Sequence, residues 1–260
     1  NNDPMYSKGL CQEVDGRFLI QNPPSRYLEE NEMDKIASYP YQRDLHPYHA
    51  KDGKVKALET IKFSIMTHHG CWGECNYCAI AAHQGRTIRT RSEENILSEA
   101  KHFTTLKDFK GIISDVGGPT ANMYGYECKK KMNLGTCIDN KRCVDAHRLC
   151  RTMKVDYSRN IKLLKDIRAI PKIKKAFIAS GIRYDFIAAD KNYGKEYLKE
   201  IIDHHISGQM KIAPEHTSDE VLHHMGKPGK QSLIEFKKMF DDLNKESGKK
   251  QFLTYYLIAA

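Results

Sequence analysis

Apolar and polar residues follow two different rhythms along most of this chain. Short runs rich in β-branched and apolar residues, typical of strands, occupy residues 58–67, 111–118, 174–183, 209–216 and 251–260. Stretches with apolar residues three and four positions apart, typical of amphipathic helices, lie at residues 90–105, 158–170, 194–206, 217–226 and 232–247. Strands that alternate with helices over short connections predict βα units and a parallel sheet.

The number of these units limits the architecture. Five βα units are too few for a closed eightfold barrel, so the pattern predicts an α/β fold with an open, partial (β/α) barrel over residues 57–260. Prolines are frequent in residues 1–56, which predicts an irregular lead-in segment with one short helix at residues 28–37. A cysteine-rich insert interrupts the barrel at residues 119–157.

Composition narrows the class of protein. The 260 residues carry 42 Lys and Arg against 33 Asp and Glu, a net charge of +9, which permits a polyanionic partner such as RNA but also suits an ordinary enzyme. No apolar run reaches the length of a membrane span, so no membrane association is expected. The chain begins with Asn and ends in a strand, so we expect a segment of a longer protein.

Cysteine usage points to the cytoplasm. Eight cysteines without a secretion signal indicate reduced thiols or metal ligands and not a disulfide framework. Cys11 stands apart from the others and is expected to be a bystander.

Three cysteines share one loop, residues 70–86, with the sequence "GCWGECNYCAIAAHQGR". Cys71, Cys75 and Cys78 have the spacing C-x3-C-x2-C and follow the first predicted strand, at the strand end where parallel α/β folds place their sites. A structural zinc ion or a 4Fe-4S cube normally takes four protein ligands, so three cysteines on a cube leave one iron open for a small molecule. The alternative is a structural zinc loop completed by a nearby histidine, at position 68, 69 or 83.

With an aromatic residue, Tyr77, just before the third cysteine, this loop resembles that of the radical S-adenosylmethionine (SAM) superfamily. The resemblance implies a 4Fe-4S cluster on Cys71, Cys75 and Cys78, with SAM chelating the open iron. It further implies that the reduced cluster cleaves SAM to methionine and a 5′-deoxyadenosyl radical, which abstracts hydrogen from a substrate. Flavodoxin or ferredoxin would supply the electron.

The same resemblance assigns further residues to SAM. The residues are Tyr77 at the adenine, Gly117, Gly118, Pro119 and Thr120 at the amino group, Ser180 and Arg183 at the carboxylate, Glu215 and His216 at the ribose, and Ile258 as an apolar wall. Pro119 replaces the acidic residue usual in the glycine motif, which leaves backbone carbonyls or Thr120 for the amine. Four of these assignments have a structural alternative. The glycine motif can be a strand-to-loop turn, Arg183 a surface arginine, Glu215 a capping glutamate and His216 a buried histidine.

Four longer segments resemble one family more closely, the YgiQ-type radical SAM proteins. They are "SIMTHHGCWGECNYCAIAAHQGR", "ISDVGGPTANMYG", "IASGIRYD" and "KIAPEHTSDEVLHHMGKPG". The resemblance gives no substrate. One alternative is a radical SAM enzyme that modifies tRNA or another RNA, suggested by the fourth segment and the basic charge, and another is a zinc-dependent RNA-binding module without catalysis.

Two further features are left open. Cys128, Cys137, Cys143 and Cys150 form a second group with loose spacing, which could hold zinc or an auxiliary iron-sulfur cluster, form disulfides, or stay free. The basic run Arg86, Arg89 and Arg91 predicts a solvated face or, alternatively, a contact to a phosphorylated or nucleic-acid substrate.

Overall fold

Helices and strands occupy most of the chain in the computed structural model, which describes residues 5–134, 137, 142–144 and 149–259. The strands in chain order are β1 Leu10–Val14, β2 Arg17–Gln21, β3 Ser64–Met66, β4 His68–His69, β5 Arg89–Thr90, β6 Ile112–Ile113, β7 Asp115–Gly117, β8 Glu127–Cys128, β9 Met153–Lys154, β10 Lys175–Ala176, β11 Gln209–Glu215 and β12 Phe252–Leu257. The α-helices are α1 Glu30–Ala37, α2 Pro47–Ala50, α3 Lys56–Ile61, α4 Ile80–Gln84, α5 Glu93–Phe103, α6 Lys129–Leu134, α7 Ser158–Ala169, α8 Tyr184–Ala189, α9 Gly194–Glu200, α10 Asp219–Met225 and α11 Lys230–Glu246. A π-helical turn, Ile201–His205, extends α9.

The central strands pair in parallel, and two of the three pairs join strands that are not consecutive in the chain. β3 pairs with β7, placing Ile65 opposite Val116, β6 pairs with β10, and β11 pairs with β12. The Val116 N–H donates to the Phe177 carbonyl at 2.9 Å, and Ile182 bridges in parallel to Ile212, which links the middle strands. The predicted α/β chain with parallel strands is confirmed, although within the described residues the strands do not close into a barrel.

The helices cover these strands with apolar faces at helical spacing. α5 buries Ile96, Ala100 and Phe103, and α7 buries Ile161, Leu164 and Ile167, in one continuous core. Burial of residues three and four apart is what an amphipathic helix against a sheet requires. The helices predicted around residues 90–105, 158–170 and 232–247 are therefore confirmed.

Two predicted strands are shorter than expected. Residues 58–67 were predicted as one strand, but their first part belongs to α3, because Leu58 and Ile61 stand at helical spacing, and only β3 follows. Residues 174–183 contain the two-residue strand β10, and the chain then turns into α8, a helix that the sequence pattern did not predict.

The lead-in holds more regular structure than expected. β1 and β2 form an antiparallel hairpin in which every residue is exposed, and three short helices follow before β3. A sequence search for the pattern of half-buried strands misses this hairpin, because both of its faces are exposed. In the cysteine-rich insert, β8 and β9 pair antiparallel and bracket α6. Predictions on residues 135, 136, 138–141 and 145–148 lie outside the described residues.

Candidate metal and cofactor site

The cysteine loop, residues 70–86, is closed at its base by backbone contacts. β4 pairs antiparallel with β5, and the Cys71 N–H donates to the Gly85 carbonyl at 3.1 Å. Gly70 has a φ of +84°, and a Cβ there would meet the Thr87 carbonyl oxygen at 2.3 Å. Only glycine combines this left-handed conformation with so close an approach, so the base of the loop depends on Gly70.

Two of the three sulfurs turn toward one point. The Gly73 N–H donates to Cys71 Sγ at 3.3 Å, and a Cβ at Gly73 would lie 3.3 Å from Cys71 Sγ and 3.5 Å from Cys75 Sγ. Cys78 follows on the same turn, with its N–H donating to the Cys75 carbonyl at 3.0 Å. The three thiols are half-buried and free of disulfides.

Three cysteine sulfurs are the donors that this loop offers. Among the described residues, no three or more His, Cys, Asp or Glu side chains are arranged to hold one metal ion. A zinc ion takes its ligands at about 2.3 Å, whereas a four-iron cube takes thiolates at separate corners. The zinc loop and the cluster both stay predictions at this point.

The glycine motif after β7 packs directly on the cysteine loop. The Thr67 N–H donates to the Gly117 carbonyl at 2.7 Å, and a Cβ at Gly118 would meet the His68 ring at 2.6 Å. Thr120 Oγ1 lies 3.4 Å from Cys71 Sγ. Thr120 is thereby placed beside the first cysteine.

The His68 ring lies against the glycine motif at Gly118. Its ring is fully buried, and Nδ1 lies 2.9 Å from the Thr67 hydroxyl. Burial lowers the pKa of His68 to about 3, opposed by a hydrogen bond with the Thr120 backbone. A neutral imidazole therefore backs the cysteine loop at neutral pH.

Arg183 reaches the cysteines but is already paired. Its Nε and Nη2 donate to the two Asp185 carboxylate oxygens at 2.8 and 2.6 Å, and Nη1 lies 3.7 Å from Cys75 Sγ. The Ser180 hydroxyl bonds to Asp115, the first residue of β7. A contact between either residue and SAM stays a prediction.

Tyr77 and Ile258 each lie beside Glu215 at the end of β11. Burial raises the pKa of the Tyr77 hydroxyl, and the neighbouring Cys75 and Glu215 raise it further. Glu215 has a φ of +72°, and its carbonyl accepts from the Ile258 N–H at 2.7 Å. His216 is used locally, since its Nδ1 accepts from the Ser218 N–H at 3.0 Å at the start of α10.

Two residues beside this site were missed by sequence reasoning. Lys227 is 2% exposed, its Nζ donates to the Ala213 carbonyl at 2.6 Å, and burial together with Arg183 lowers its pKa. Asn122 is fully buried and bonds to the backbone of Arg183. The only signal for Lys227 was its place directly after Gly226, which ends α10 with a φ of +69° and turns the next side chain back into the site.

The second cysteine group is partly assembled. The sulfurs of Cys128 and Cys150 lie 3.5 and 3.2 Å from the same Thr152 hydroxyl, and the Cys150 N–H donates to the Cys143 carbonyl at 2.8 Å. Burial raises the pKa of Cys143, while Lys131 opposes that rise. No disulfide joins these cysteines, and Cys137 lies in a stretch where its neighbours are not described.

The basic run is not a free cationic surface. Arg86 Nε lies 2.7 Å from Glu74, Arg89 Nη2 2.8 Å from Glu29, and the buried Arg91 2.6 Å from Glu99. The prediction of a solvated face is therefore wrong, because Arg86 pairs within the cysteine loop, Arg89 pairs with the residue that caps α1, and Arg91 pairs with a residue of α5. These partners belong to other turns and elements, so the local pattern around the arginines could not reveal them. No helix among the described residues has the length and apolar character that crossing a membrane requires.

Comparison with known proteins gives one consistent family. A family model described as "Radical SAM N-terminal" matches residues 1–64, and one described as "Radical SAM superfamily" matches residues 65–258. The chain is 59% identical over 260 residues to a UPF0313 protein of Fusobacterium nucleatum, covering 100% of this chain and 45% of the relative. It is 45% identical to a UPF0313 protein of Clostridium perfringens and 46% identical to one of Clostridium botulinum, covering 99% of this chain and 38% and 40% of those relatives. The chain thus spans less than half the length of these relatives.

Proposed function

This chain belongs to the radical SAM superfamily, and on that premise we propose that it carries the cluster- and SAM-binding part of a radical SAM enzyme. The resemblance to YgiQ-type proteins is confirmed, because YgiQ is the UPF0313 family. Radical SAM chemistry in general follows from the superfamily, whereas the reaction of the whole protein and its substrate are proposals.

One observation supports the cluster most directly. The sulfurs of Cys71 and Cys75 both lie within 3.5 Å of the position that a Cβ of Gly73 would occupy, and Cys78 follows on the same turn. A bound 4Fe-4S cluster would supply the electron that cleaves SAM reductively, with hydrogen abstraction from the substrate as the outcome. The chain's own residues bind these groups, orient them and exclude water.

The predicted SAM contacts belong to this proposal. Gly117, Gly118, Pro119 and Thr120 would receive the amino group, supported by the Thr120 contact to Cys71. Tyr77, Glu215 and Ile258 would line the nucleoside side, supported by the closeness of Tyr77 to Glu215. Ser180, Arg183 and His216 remain proposals as well, although each is engaged with protein partners.

The architecture proposed for this site is an open, partial (β/α) barrel. The parallel pairs β3 with β7, β6 with β10 and β11 with β12 support it, together with the parallel bridge from Ile182 to Ile212. Such a barrel would gather the cysteine loop, the glycine motif and the end of β11 at the carboxyl ends of its strands.

The second cysteine group is proposed to hold an auxiliary iron-sulfur cluster or zinc. The shared contact of Cys128 and Cys150 with Thr152, and the approach of Cys143, support a common site. A cavity of about 220 Å³ is lined by residues of both regions, Trp72 of the cysteine loop and Cys128 and Lys131 of the insert.

Electron donor, substrate and compartment are proposed without direct support from the structure. Flavodoxin or ferredoxin would deliver the electron, and the cytoplasm would provide the reducing environment. RNA as the substrate rests on the resemblance of residues 211–229 and on the net charge, and it gains nothing from Arg86, Arg89 and Arg91, which are paired with carboxylates. RNA binding that is weak and does not change with salt would exclude it.

The test is anaerobic reconstitution of the full-length protein with iron and sulfide, followed by dithionite and SAM. We expect a reduced-cluster electron paramagnetic resonance (EPR) signal that changes when SAM is added, and formation of 5′-deoxyadenosine. A preparation that binds no iron, or whose first cluster carries a fourth protein ligand, contradicts the proposal.

A further inference from the structure

Arg183 is a buried cation whose carboxylate-binding edge is already filled. The side chain is 5% exposed and lies at the start of α8. Its Nε and Nη2 form the two-bond fork with Asp185 at 2.8 and 2.6 Å, and its guanidinium lies 5.1 Å from the centre of the Phe186 ring. A planar guanidinium held in this way has little freedom to move.

The backbone of Arg183 is fixed as firmly as its side chain. Asn122 Oδ1 accepts from the Arg183 N–H at 2.9 Å, and Asn122 Nδ2 donates to the Arg183 carbonyl at 2.9 Å. Asn122 itself is fully buried and donates to the Tyr157 hydroxyl at 2.6 Å. Both ends of the arginine are therefore positioned before any cofactor binds.

The remaining nitrogen, Nη1, faces the cysteine loop. It lies 3.7 Å from Cys75 Sγ, and a Cβ at Gly73 would come within 2.7 Å of Nη1. The same imagined Cβ would touch the sulfurs of Cys71 and Cys75, so the cation and two cluster ligands surround one glycine. Gly73 is the residue that allows this approach.

We propose, resting on the proposed function, that Arg183 is a positioning residue for the cluster: its Nη1 donates to the Cys75 sulfur, and its charge raises the cluster's reduction potential. Reduction adds one electron and one negative charge to the cluster, and a fixed positive charge nearby stabilises the more negative state. Hydrogen bonds to the sulfurs and local charge are established controls of cluster potential. Clamping the SAM carboxylate through the same fork would require Asp185 to leave.

The charge on Arg183 does not depend on pH in the working range. A guanidinium is not deprotonated in proteins, so Arg183 carries its positive charge at every working pH. Asp185 also offsets part of that charge, so removing Asp185 and removing Arg183 must shift the potential in opposite directions. Damage to the fold would not reverse sign in this way.

The experiment is an EPR-monitored redox titration of the reconstituted full-length protein without SAM. In Arg183→Met the midpoint potential is expected to fall by an amount equal to at least a tenfold change in the reduction equilibrium, about 59 mV for one electron. In Asp185→Asn it is expected to rise. Arg91→Met is the matched control, because Arg91 is an equally buried arginine paired with a carboxylate and its removal also deletes one positive charge. The cluster potential of this variant should equal that of the wild type.

Gly73→Ala keeps every charge, so it tests the inference even if the Arg183 and Asp185 variants fail to fold. Gly73→Ala forces Nη1 away from the sulfurs and should lower the potential in the same direction as Arg183→Met, by less. The inference is overturned if Gly73→Ala has the wild-type cluster potential and if the Arg183 and Asp185 variants that load iron have it too. Weakened SAM binding in Arg183→Met at an unchanged potential would also overturn it, in favour of the clamp. A wild-type protein that takes up no iron would instead overturn the proposed function, and this inference with it.

Discussion

The two cysteine groups of this chain are backed by different cations. Behind the first group, the Arg183 charge is balanced by Asp185, which accepts two of its hydrogen bonds. Behind the second group, buried Lys131 donates to the backbone carbonyl of Arg86, and burial lowers its pKa. The first site is thus charge-balanced before a cofactor arrives, whereas the second gains balance when its thiols ionise, as they do on binding metal.

The largest expected effect separates the two groups by cysteine removal. Cys75→Ala should lose the first cluster, so that the reduced EPR signal that responds to SAM and the 5′-deoxyadenosine product disappear together. Cys128→Ala should keep that signal and lose only metal bound by the second group. Total iron, sulfide and zinc, measured beside the EPR spectrum, check both expectations.

Cys11→Ala is the matched control for these variants, since Cys11 lies exposed in β1. It should retain all metal and activity. Loss of the SAM-responsive signal in Cys128→Ala would show that the two cysteine groups form one site and are not two sites with different surroundings.

The base of the cysteine loop gives the next largest effect. Gly70→Ala combines left-handed strain with contact to the Thr87 carbonyl, and should destabilise the protein by about 3 kcal/mol or more. Gly208→Ala is the control, because Gly208 also has a positive φ but faces open space, so it should cost about 1 kcal/mol. Urea unfolding of the two variants measures the difference, and equal losses would mean that strain alone matters at Gly70.

These contrasts also explain what the sequence could predict. Cys71, Cys75 and Cys78 lie on one loop, so their spacing alone indicated a common ligand, and the glycine motif could be placed because it ends a strand. Asn122 became part of the site through a tertiary contact with Arg183, and Lys227 through its bond to Ala213 at the end of β11. Asp185 lies only two residues after Arg183, but nothing in the local pattern indicated that the two side chains pair.

The same distinction explains the errors in the fold. The long amphipathic helices, such as α7 and α11, have enough turns for their period to be read from the sequence. The two-residue strands β6 and β10 depend on pairing with each other, and local pattern could not set their ends. The basic run was misread for a related reason, since the carboxylates that pair with Arg89 and Arg91 belong to other elements.

A moderate effect is expected in the pH dependence of the free energy of unfolding, through His68 beside the first cysteine group. His68 has a pKa of about 3 when folded and 6.5 as its ordinary value, so between these limits the unfolded chain binds a proton that the folded protein does not. Stability must therefore fall as pH falls through this window, by about 2 kcal/mol between pH 6.5 and pH 5. His68→Gln should remove that part of the slope in urea unfolding, with the exposed His102→Gln as control; an unaltered slope in His68→Gln would contradict burial as its cause.

The smallest effect concerns the second group and its shared hydroxyl. Burial opposes ionisation of Cys150, but hydrogen bonds with the Thr152 side chain and backbone outweigh it and lower the pKa of Cys150. In reduced, metal-free protein, Thr152→Val should raise the pKa of Cys150. At pH values below that pKa, alkylation of Cys150 should then be roughly three- to tenfold slower, because one pKa unit changes the thiolate fraction tenfold. Thr152→Ser keeps the hydroxyl and should react like the wild type. A pH profile of iodoacetamide labelling, resolved by mass spectrometry, distinguishes the two. If Thr152→Val leaves the profile in place, the hydroxyl does not prepare Cys150 as a ligand, and the second group would depend on bound metal alone to ionise its thiols.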